Sequence, residues 1–369
     1  MSAERFEPPE GRRWAQSTPK PSHRAGHSSI FHYPTPPLLK AIIPIAGAGK
    51  RLRPFTYTQP KPLIPVAGKP ILSYIIEQLR DLGVREYVFV LGYLGSKVKD
   101  FVLENFPEIE PRFVIQADRR GSGHAIWLAE EAVADTKEVV IAFGDTLLEG
   151  PIDKVVHCEH TCLAIKPVDD PRAFGVVEVD KRGHVSGMAE KPRMPRGNNA
   201  MVGLYKISDY GALHASLTQV LAEAPSSSVE VTLSDGLINL LDRGHVMHTE
   251  QVDRWYDCGN AEVLLATNRA LLEKRGYGET QLPAFDRTIL VHPVTIGKGC
   301  RISDAIIGPH ASIGDFATID RTIVSDAIVG RYARLHEVNL EHSIVGNDTI
   351  LTGQARRINI GDHTELSLE

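Results

Sequence analysis

The sequence predicts an α/β domain built on a mainly parallel sheet with helices on both faces, followed by a left-handed parallel β-helix. Three observations carry this expectation. Short apolar runs alternate with amphipathic stretches between residues 38 and 275. An apolar run leads directly into Gly47-Ala48-Gly49 near the start of that region. Beyond Leu282 the helical periodicity stops, and Ile/Val-Gly pairs recur at near-constant spacing.

Residues 1–37 carry seven prolines and charges of both signs with almost no aliphatic periodicity, so they read as a flexible tail that cannot bury enough apolar surface to offset ordering. Residues 38–275 read as one domain. Ala41 to Ala46 is strand-like, Ile71 to Leu82 helix-like, Tyr87 to Leu91 strand-like, Gly123 to Val133 helix-like and Val139 to Phe143 strand-like. Strands separated by helices imply right-handed βαβ units and hence a parallel sheet. Residues 276–288 read as a linker and 289–369 as the β-helix, with Ile358 to Leu368 as its C-terminal cap.

The repeat is explicit. Ile296-Gly297, Ile313-Gly314, Val329-Gly330 and Val345-Gly346 are spaced by 17, 16 and 16 residues, with Ile302, Ile307, Ile319 and Leu335 between them. Near-hexad spacing resembles a β-helix in which each coil buries its aliphatic face only against its neighbours. A sandwich of ordinary strands is the alternative.

Composition narrows function. In 369 residues, 42% hydrophobic and 24% charged, 41 basic and 46 acidic side chains leave a net charge of −5. No global positive field is available to grip a nucleic-acid backbone. Every apolar run is far shorter than the roughly 18 residues of a membrane-spanning helix. The four cysteines are irregularly spaced and no apolar leader stands at the N-terminus, so a cytoplasmic protein is expected.

Leu39 to Leu72 reads LKAIIPIAGAGKRLRPFTYTQPKPLIPVAGKPIL. Glycines after a strand let backbone amides approach an anion, and Arg51 and Lys61 add fixed positive charge, so this is a phosphate-site pattern. It is neither of the two common glycine motifs. A P-loop needs Ser or Thr where Arg51 follows Lys50, and the dinucleotide fingerprint needs glycine where Leu52 stands.

The whole segment resembles the signature of the sugar-1-phosphate nucleotidylyltransferases, small-Gly-x-Gly-x-Arg-Leu-x-Pro-x-Thr followed by Pro-Lys-Pro-Leu-x-Pro-Val. Further elements follow in order: Phe143-Gly144-Asp145, Phe174-Gly175-Val176-Val177-Glu178, Glu190-Lys191-Pro192 and Trp255-Tyr256-Asp257-Cys258-Gly259. Lys50 stands where the family usually has Thr or Ser, Thr146 where Asn or Asp is commoner, and Pro44 interrupts an aliphatic strand. Gln116 with Gly121-Ser122-Gly123-His124-Ala125 resembles the base-reading elements of uridylyl- and thymidylyltransferases, where the side-chain amide can offer one donor and one acceptor to a pyrimidine imide edge, and the nearest subgroup is the glucose-1-phosphate thymidylyltransferases.

The resemblance implies a Rossmann-like nucleotidyltransferase sheet and transfer of a nucleotidyl group from dTTP or UTP to a sugar 1-phosphate, glucose 1-phosphate being favoured. Arg51 and Lys61 would be catalytic; Ala46, Gly47, Gly49, Gln116 and Gly121 would bind nucleotide; Gly175, Glu190 and Lys191 would bind the sugar phosphate. Asp145 and Asp257 would hold Mg²⁺, which commonly takes one or two carboxylates with phosphate oxygens and water. Taken singly, each aspartate also reads as a turn or helix cap, Glu190-Lys191 as a solvated pair and Arg51 as a surface arginine.

Three further expectations complete the reading. His157, Cys158, His160 and Cys162 match no standard zinc spacing. His310, His336 and His342 raise an acyltransferase, which would make the chain a bifunctional amino-sugar-phosphate uridylyltransferase and acetyltransferase; an inert nucleotide-sugar-binding subunit is the third class. The β-helix is expected to be structural and to form a homo-oligomer, because solenoid ends expose unpaired strands. No nucleic-acid or membrane partner is expected.

Overall fold

The computed structural model describes residues 39–224, 229–275, 283–353 and 358–368. The tail read over residues 1–37 and most of the linker lie outside these.

Alternating apolar residues build the sheet and two cores at once. In the strand Lys40–Ile45, Ala41, Ile43 and Ile45 face one core while Ile42 faces the other. Glu86–Leu91 repeats this, with Tyr87, Phe89 and Leu91 on one side and Val88 and Val90 on the other. A strand buried on both faces must be covered by helices on both, because each apolar face is stable only out of water. The helices Ile71–Asp81 and Gly95–Asn105 cover one face, and Ser122–Trp127, Tyr210–Glu223 and Leu233–Asp242 the other.

The sheet has nine strands among the described residues. Lys40–Ile45 pairs in parallel with Glu86–Leu91 and with Val139–Ala142, and Glu86–Leu91 pairs in parallel with Glu110–Ile115. Asn199–Ile207 runs antiparallel to Val139–Ala142 and to Thr161–Pro167. The parallel-dominated α/β expectation holds. One element differs: the helix expected over Gly123 to Val133 is two, Ser122–Trp127 and Glu130–Val133. The Ala129 amide bonds the Ile126 carbonyl, a three-residue step that breaks the α spacing.

The C-terminal strands form a parallel β-helix with three ladders. One stacks Ile289, Ile306, Ile323 and Asn339 in register. A second stacks Val294–Ile296 on Ala311–Ile313 and continues through Val329 and Val345 to Ile360. The third runs from Arg301–Ser303 through Thr318–Asp320, Arg334–His336 and Ile350–Gly353 to Glu365–Leu368. Ile302, Ile307, Ile319 and Leu335 are buried in the interior, as the repeat predicts. Ile358 to Leu368 continues the ladders as a further coil. The repeated glycines have one shared cause: a Cβ on Gly297, Gly314, Gly330 or Gly346 would lie 2.5–2.7 Å from backbone of the next coil.

The helix Ala261–Arg275 joins the two parts. Asn268 on it is fully buried; its Oδ1 accepts from the Ala67 amide at 2.8 Å and from Ser312 Oγ at 2.6 Å, and its Nδ2 donates to the His310 carbonyl at 2.9 Å. Ile328 and Ile344 of the β-helix are buried in the same core as the strand Lys40–Ile45. At the rim His342 lies 2.7 Å from both Asp326 and Glu262, and Arg269 lies 2.6 Å from Asp326. The two carboxylates hold the His342 imidazole above its ordinary pKa, with Asp326 the larger cause.

Two outcomes follow from this interface. Asn268→Ala removes the acceptor of the buried Ser312 hydroxyl and the side-chain donor to the His310 carbonyl, and chemical denaturation should show a loss of about 1–3 kcal/mol. Because its pKa is raised by folding, His342 stabilises the fold fully below the unfolded value and the stabilisation disappears as pH rises through the folded value. The melting-temperature gap between wild type and His342→Gln should therefore be widest below about pH 6 and close at alkaline pH.

Candidate active site

The sheet delivers the predicted residues by its strand ends. Lys40–Ile45 ends at Ala46, and Gly47 to Gly49 turns over its C-terminal edge into the short 3₁₀ segment Lys50–Leu52. Gly49 is left-handed at φ 59°, and a Cβ there would come within 2.9 Å of Thr56 Cγ2 and 3.3 Å of Lys61 Cβ. Glycine is required because loop and lysine approach too closely for a side chain between them. A Cβ on Gly47 would meet nothing within 4 Å, so the constraint there is not the protein's own packing.

Asp145 follows the strand Val139–Ala142, and Asp257 ends Arg254–Asp257. The pairing of Asp257 with Thr146 brings the two aspartates together, reinforced by the Cys258 amide on the Asp145 carbonyl at 3.2 Å. Lys61 is buried between them, with Nζ 2.5 Å from Asp145 Oδ2 and 3.8 Å from Asp257 Oδ1. Burial, then the charge of Asp145, pushes the Asp257 carboxyl above its ordinary range, while Lys61 and Arg51 pull it back. Arg51 lies against Gly259, where a Cβ would stand 2.9 Å from its Nη2.

Opposite the glycine loop, Gln116 is buried and its Nε2 lies 3.0 Å from the Gly121 carbonyl and 3.1 Å from His124 Nδ1. A carbonyl can only accept, so Nε2 is the donor, the amide orientation is settled, and His124 accepts through Nδ1. Gln116 therefore offers a ligand its carbonyl oxygen, not the donor-acceptor pair the sequence reading assigns it. Burial lowers the His124 pKa, which favours the neutral ring this bond needs. Gly121 has φ 94°, and a Cβ there would lie 2.3 Å from the Val231 carbonyl oxygen.

A cavity of about 610 Å³ is lined by Ala46, Gly47, Gly49, Arg51, Lys61, Gln116, Gly121 and Asp145 together. Asp257 joins this set through Lys61. Gly175, Glu190 and Lys191 are not in the lining and form a neighbouring cluster. Gly175 pairs with Glu190 across an antiparallel ladder, and a Cβ on Gly175 would lie 2.4 Å from Met201 Cε and 2.9 Å from Glu190 Oε2. Lys191 Nζ is 3.3 Å from Glu190 Oε1 and largely exposed. Phe174 meets Trp255 edge-on at 4.7 Å, linking this cluster to the Asp257 strand.

Sequence reasoning missed Arg119 and Glu230, which line the cavity together with Ser122 of the Gly121-Ser122-Gly123 motif. Arg119 lies between Gln116 and Gly121 and was legible by proximity; Glu230 arrives from a distant loop and carried no local signal. The histidine and cysteine pairs around Cys158 straddle the end of the helix Ile152–Val156 and the start of Thr161–Pro167, and no cluster of three or more metal-ligating side chains occurs among the described residues.

The two loop glycines differ in a measurable way. Gly121→Ala should lower stability by about 1–3 kcal/mol, as overpacking against backbone does, with left-handed strain added. Gly47→Ala should leave the melting temperature within about a degree of wild type, since the side chain enters open space. Scanning calorimetry on both variants checks this.

The pattern of the nucleotidyl transferase family matches residues 40–274. The low-salt glycan biosynthesis nucleotidyltransferase Agl11 of Haloferax volcanii is 29% identical over 363 residues, covering 89% of this chain and 100% of that protein. A glucose-1-phosphate thymidylyltransferase of Streptomyces antibioticus is 28% identical over 361 residues, covering 90% and 100%. The crystal structure of a UDP-glucose pyrophosphorylase complexed with UDP-glucose shares the fold, with a TM-score of 0.57 and 22% identity over 64% of this chain and all of that one. The family match spans more than half of the chain and takes in the glycine loop, Lys61 and both strand-end aspartates, and the protein therefore belongs to the nucleotidyl transferase family, as its resemblance to the sugar-1-phosphate nucleotidylyltransferases implied.

Proposed function

We propose that this chain transfers a nucleotidyl group from a nucleoside triphosphate, dTTP or UTP, to a sugar 1-phosphate, glucose 1-phosphate being favoured, and releases pyrophosphate. The observation that carries this reading is one cavity that a glycine loop with Arg51 and Lys61 lines together with Gln116 and Gly121. Its charges suit a triphosphate at one side, and its buried amide suits a base at the other.

The reaction needs no general base. A phosphate monoester has its second pKa near about 6, so a sugar 1-phosphate is already largely a dianion at neutral pH. Its oxygen attacks the α-phosphorus in line, and the bond to the pyrophosphate oxygen breaks. Positioning and charge stabilisation are then what the protein must supply. Gly47 and Gly49 let backbone amides meet the triphosphate, and the open space beside Gly47 is where a ligand can approach. Arg51 and Lys61 neutralise the leaving group's growing charge. Lys191 binds the sugar phosphate, and Glu190 accepts from sugar hydroxyls across Gly175. Gln116 accepts through Oε1 from the N3–H of a thymine or uracil ring.

The donor set at Asp145 and Asp257 fits Mg²⁺: two carboxylates, one of them raised by burial and by its neighbour, form a site that a hard dication would relieve. When bound, the ion would add positive charge to the phosphates. Assembly through the β-helix belongs to the same reading, supported by Ile289 and Ile323, which stand 61% and 42% exposed on one ladder. A cytoplasmic setting suits four free cysteines.

The test is pyrophosphate release across four triphosphates and several sugar 1-phosphates, wild type beside variants. dTTP and UTP with glucose 1-phosphate should be used best. Arg51→Ala should lose about 10²- to 10³-fold in kcat, typical of deleting one transition-state donor; Asp145→Asn or Asp257→Asn should abolish metal-dependent turnover, and Gln116→Leu should narrow the pyrimidine advantage. A wild-type preference for GTP or ATP would overturn the base assignment. Turnover by no pair would favour an inert binding subunit, and consumption of acetyl-coenzyme A would mark a bifunctional enzyme.

A further inference from the structure

The last coil of the β-helix ends against the loop that follows Arg51. A Cβ on Gly361 would come within 3.0 Å of Pro54, so backbone and proline ring lie in direct contact. The next residue, Asp362, is anchored from behind, its Oδ1 accepting from the Asn347 amide of the preceding coil at 2.7 Å. That bond aims Oδ2 outward, where it accepts from the Thr58 hydroxyl.

The contact continues inward without a gap. Pro54 and Thr58 flank the 3₁₀ segment Phe55–Tyr57, in which Phe55 and Thr56 are buried. Thr56 Oγ1 donates to the Gly49 carbonyl at 2.9 Å, and its Cγ2 occupies the place a Gly49 Cβ would need. The same carbonyl accepts from the Leu52 amide at 2.9 Å. Behind Gly49 stands Lys61, which faces Asp145. On the outer side, Lys97 Nζ donates to the Thr58 carbonyl at 2.7 Å and Tyr93 to the Tyr57 carbonyl at 2.9 Å. The segment is thus held at both edges, by the α/β domain on one and by the β-helix on the other.

We propose that Asp362 is a positioning residue for the glycine loop: through Thr58, Pro54 and Thr56, the last coil sets the geometry of Gly49 and so of the nucleotide site. The sequence reading gives the β-helix no part in the nucleotide site; this contact makes its final coil part of the machinery that holds the loop. The identity of the loop's ligand rests on the function proposed above, but the clamp itself does not.

The experiment uses the full chain with Asp362→Ala, Thr58→Val, their double variant and Thr58→Ser. Hydrogen exchange over residues 47–59 reads the loop directly, and kcat and KM for the triphosphate and the sugar phosphate read its consequence. Asp362→Ala and Thr58→Val should each speed exchange in that segment by at least about fivefold, a local opening. Each should lower kcat/KM about tenfold or more, within the range that small misplacement of positioned groups produces, with the rise in KM confined to the triphosphate. The double variant should be no worse than Asp362→Ala alone, because Thr58→Val then removes a contact already lost. Thr58→Ser, which keeps the hydroxyl, should behave as wild type.

A contact that merely attaches the β-helix would lower the melting temperature of the variants and leave loop exchange and the triphosphate KM unchanged. Unchanged exchange, or unchanged kcat/KM in an active enzyme, overturns the proposal. If wild type turns over no pair while loop exchange still responds to Asp362→Ala, the clamp stands and the functional reading fails.

Discussion

One buried ammonium organises the site. Lys61 lies between Asp145 and Asp257, side chains delivered by strand ends 84 and 196 residues further along the chain. Two carboxylates facing a common space repel each other, and the cost rises as water is excluded. The lysine answers that repulsion, and its own burial is tolerable only because both carboxylates are present. Everything around it serves this arrangement: the Asp257–Thr146 pairing, the Cys258 amide on Asp145, and the glycine that lets the loop approach the lysine stem.

The second constraint is that the β-helix cannot stand as a loose appendage. Its face toward the helix Ala261–Arg275 carries Ile328 and Ile344 into the main core, and burying a side chain of that size stabilises by about 1.5–3 kcal/mol. Asn268 then makes the contact specific. An apolar surface alone would tolerate sliding, whereas a buried amide with three partners is satisfied in one register. That register also seats the final coil on Pro54 and Thr58, so core packing at one end and loop geometry at the other are set by a single rigid docking.

Much of this is legible in the sequence itself. Hydrophobic alternation in Ala41 to Ala46 and Tyr87 to Leu91 predicted strands because side chains on a strand must alternate between faces. The Ile/Val-Gly spacing predicted stacked coils because each coil meets the next at a fixed residue. Glycine at those positions now has its reason, since adjacent backbones leave no room for a Cβ. The signature from Gly47 to Lys61 was legible because a phosphate cradle needs clustered amides and fixed cations close together in sequence.

Other features had no local signature. Nothing in the sequence around Gln116 shows that its amide donor is already committed to Gly121 and His124, because the orientation depends on which groups surround it. Nor does the sequence place Glu230 on the cavity, or separate the Glu190 and Lys191 cluster from its lining. The contact of Asp362 with Thr58 joins residues 304 apart, and no periodicity spans such a distance. The sequence by itself determined the element types, the coil repeat and the chemical kinds of residue at the site, since these depend on neighbours along the chain. Only the tertiary structure decided which charges meet, which donors remain available and which coil touches the loop, because those depend on groups that meet only when distant segments pack.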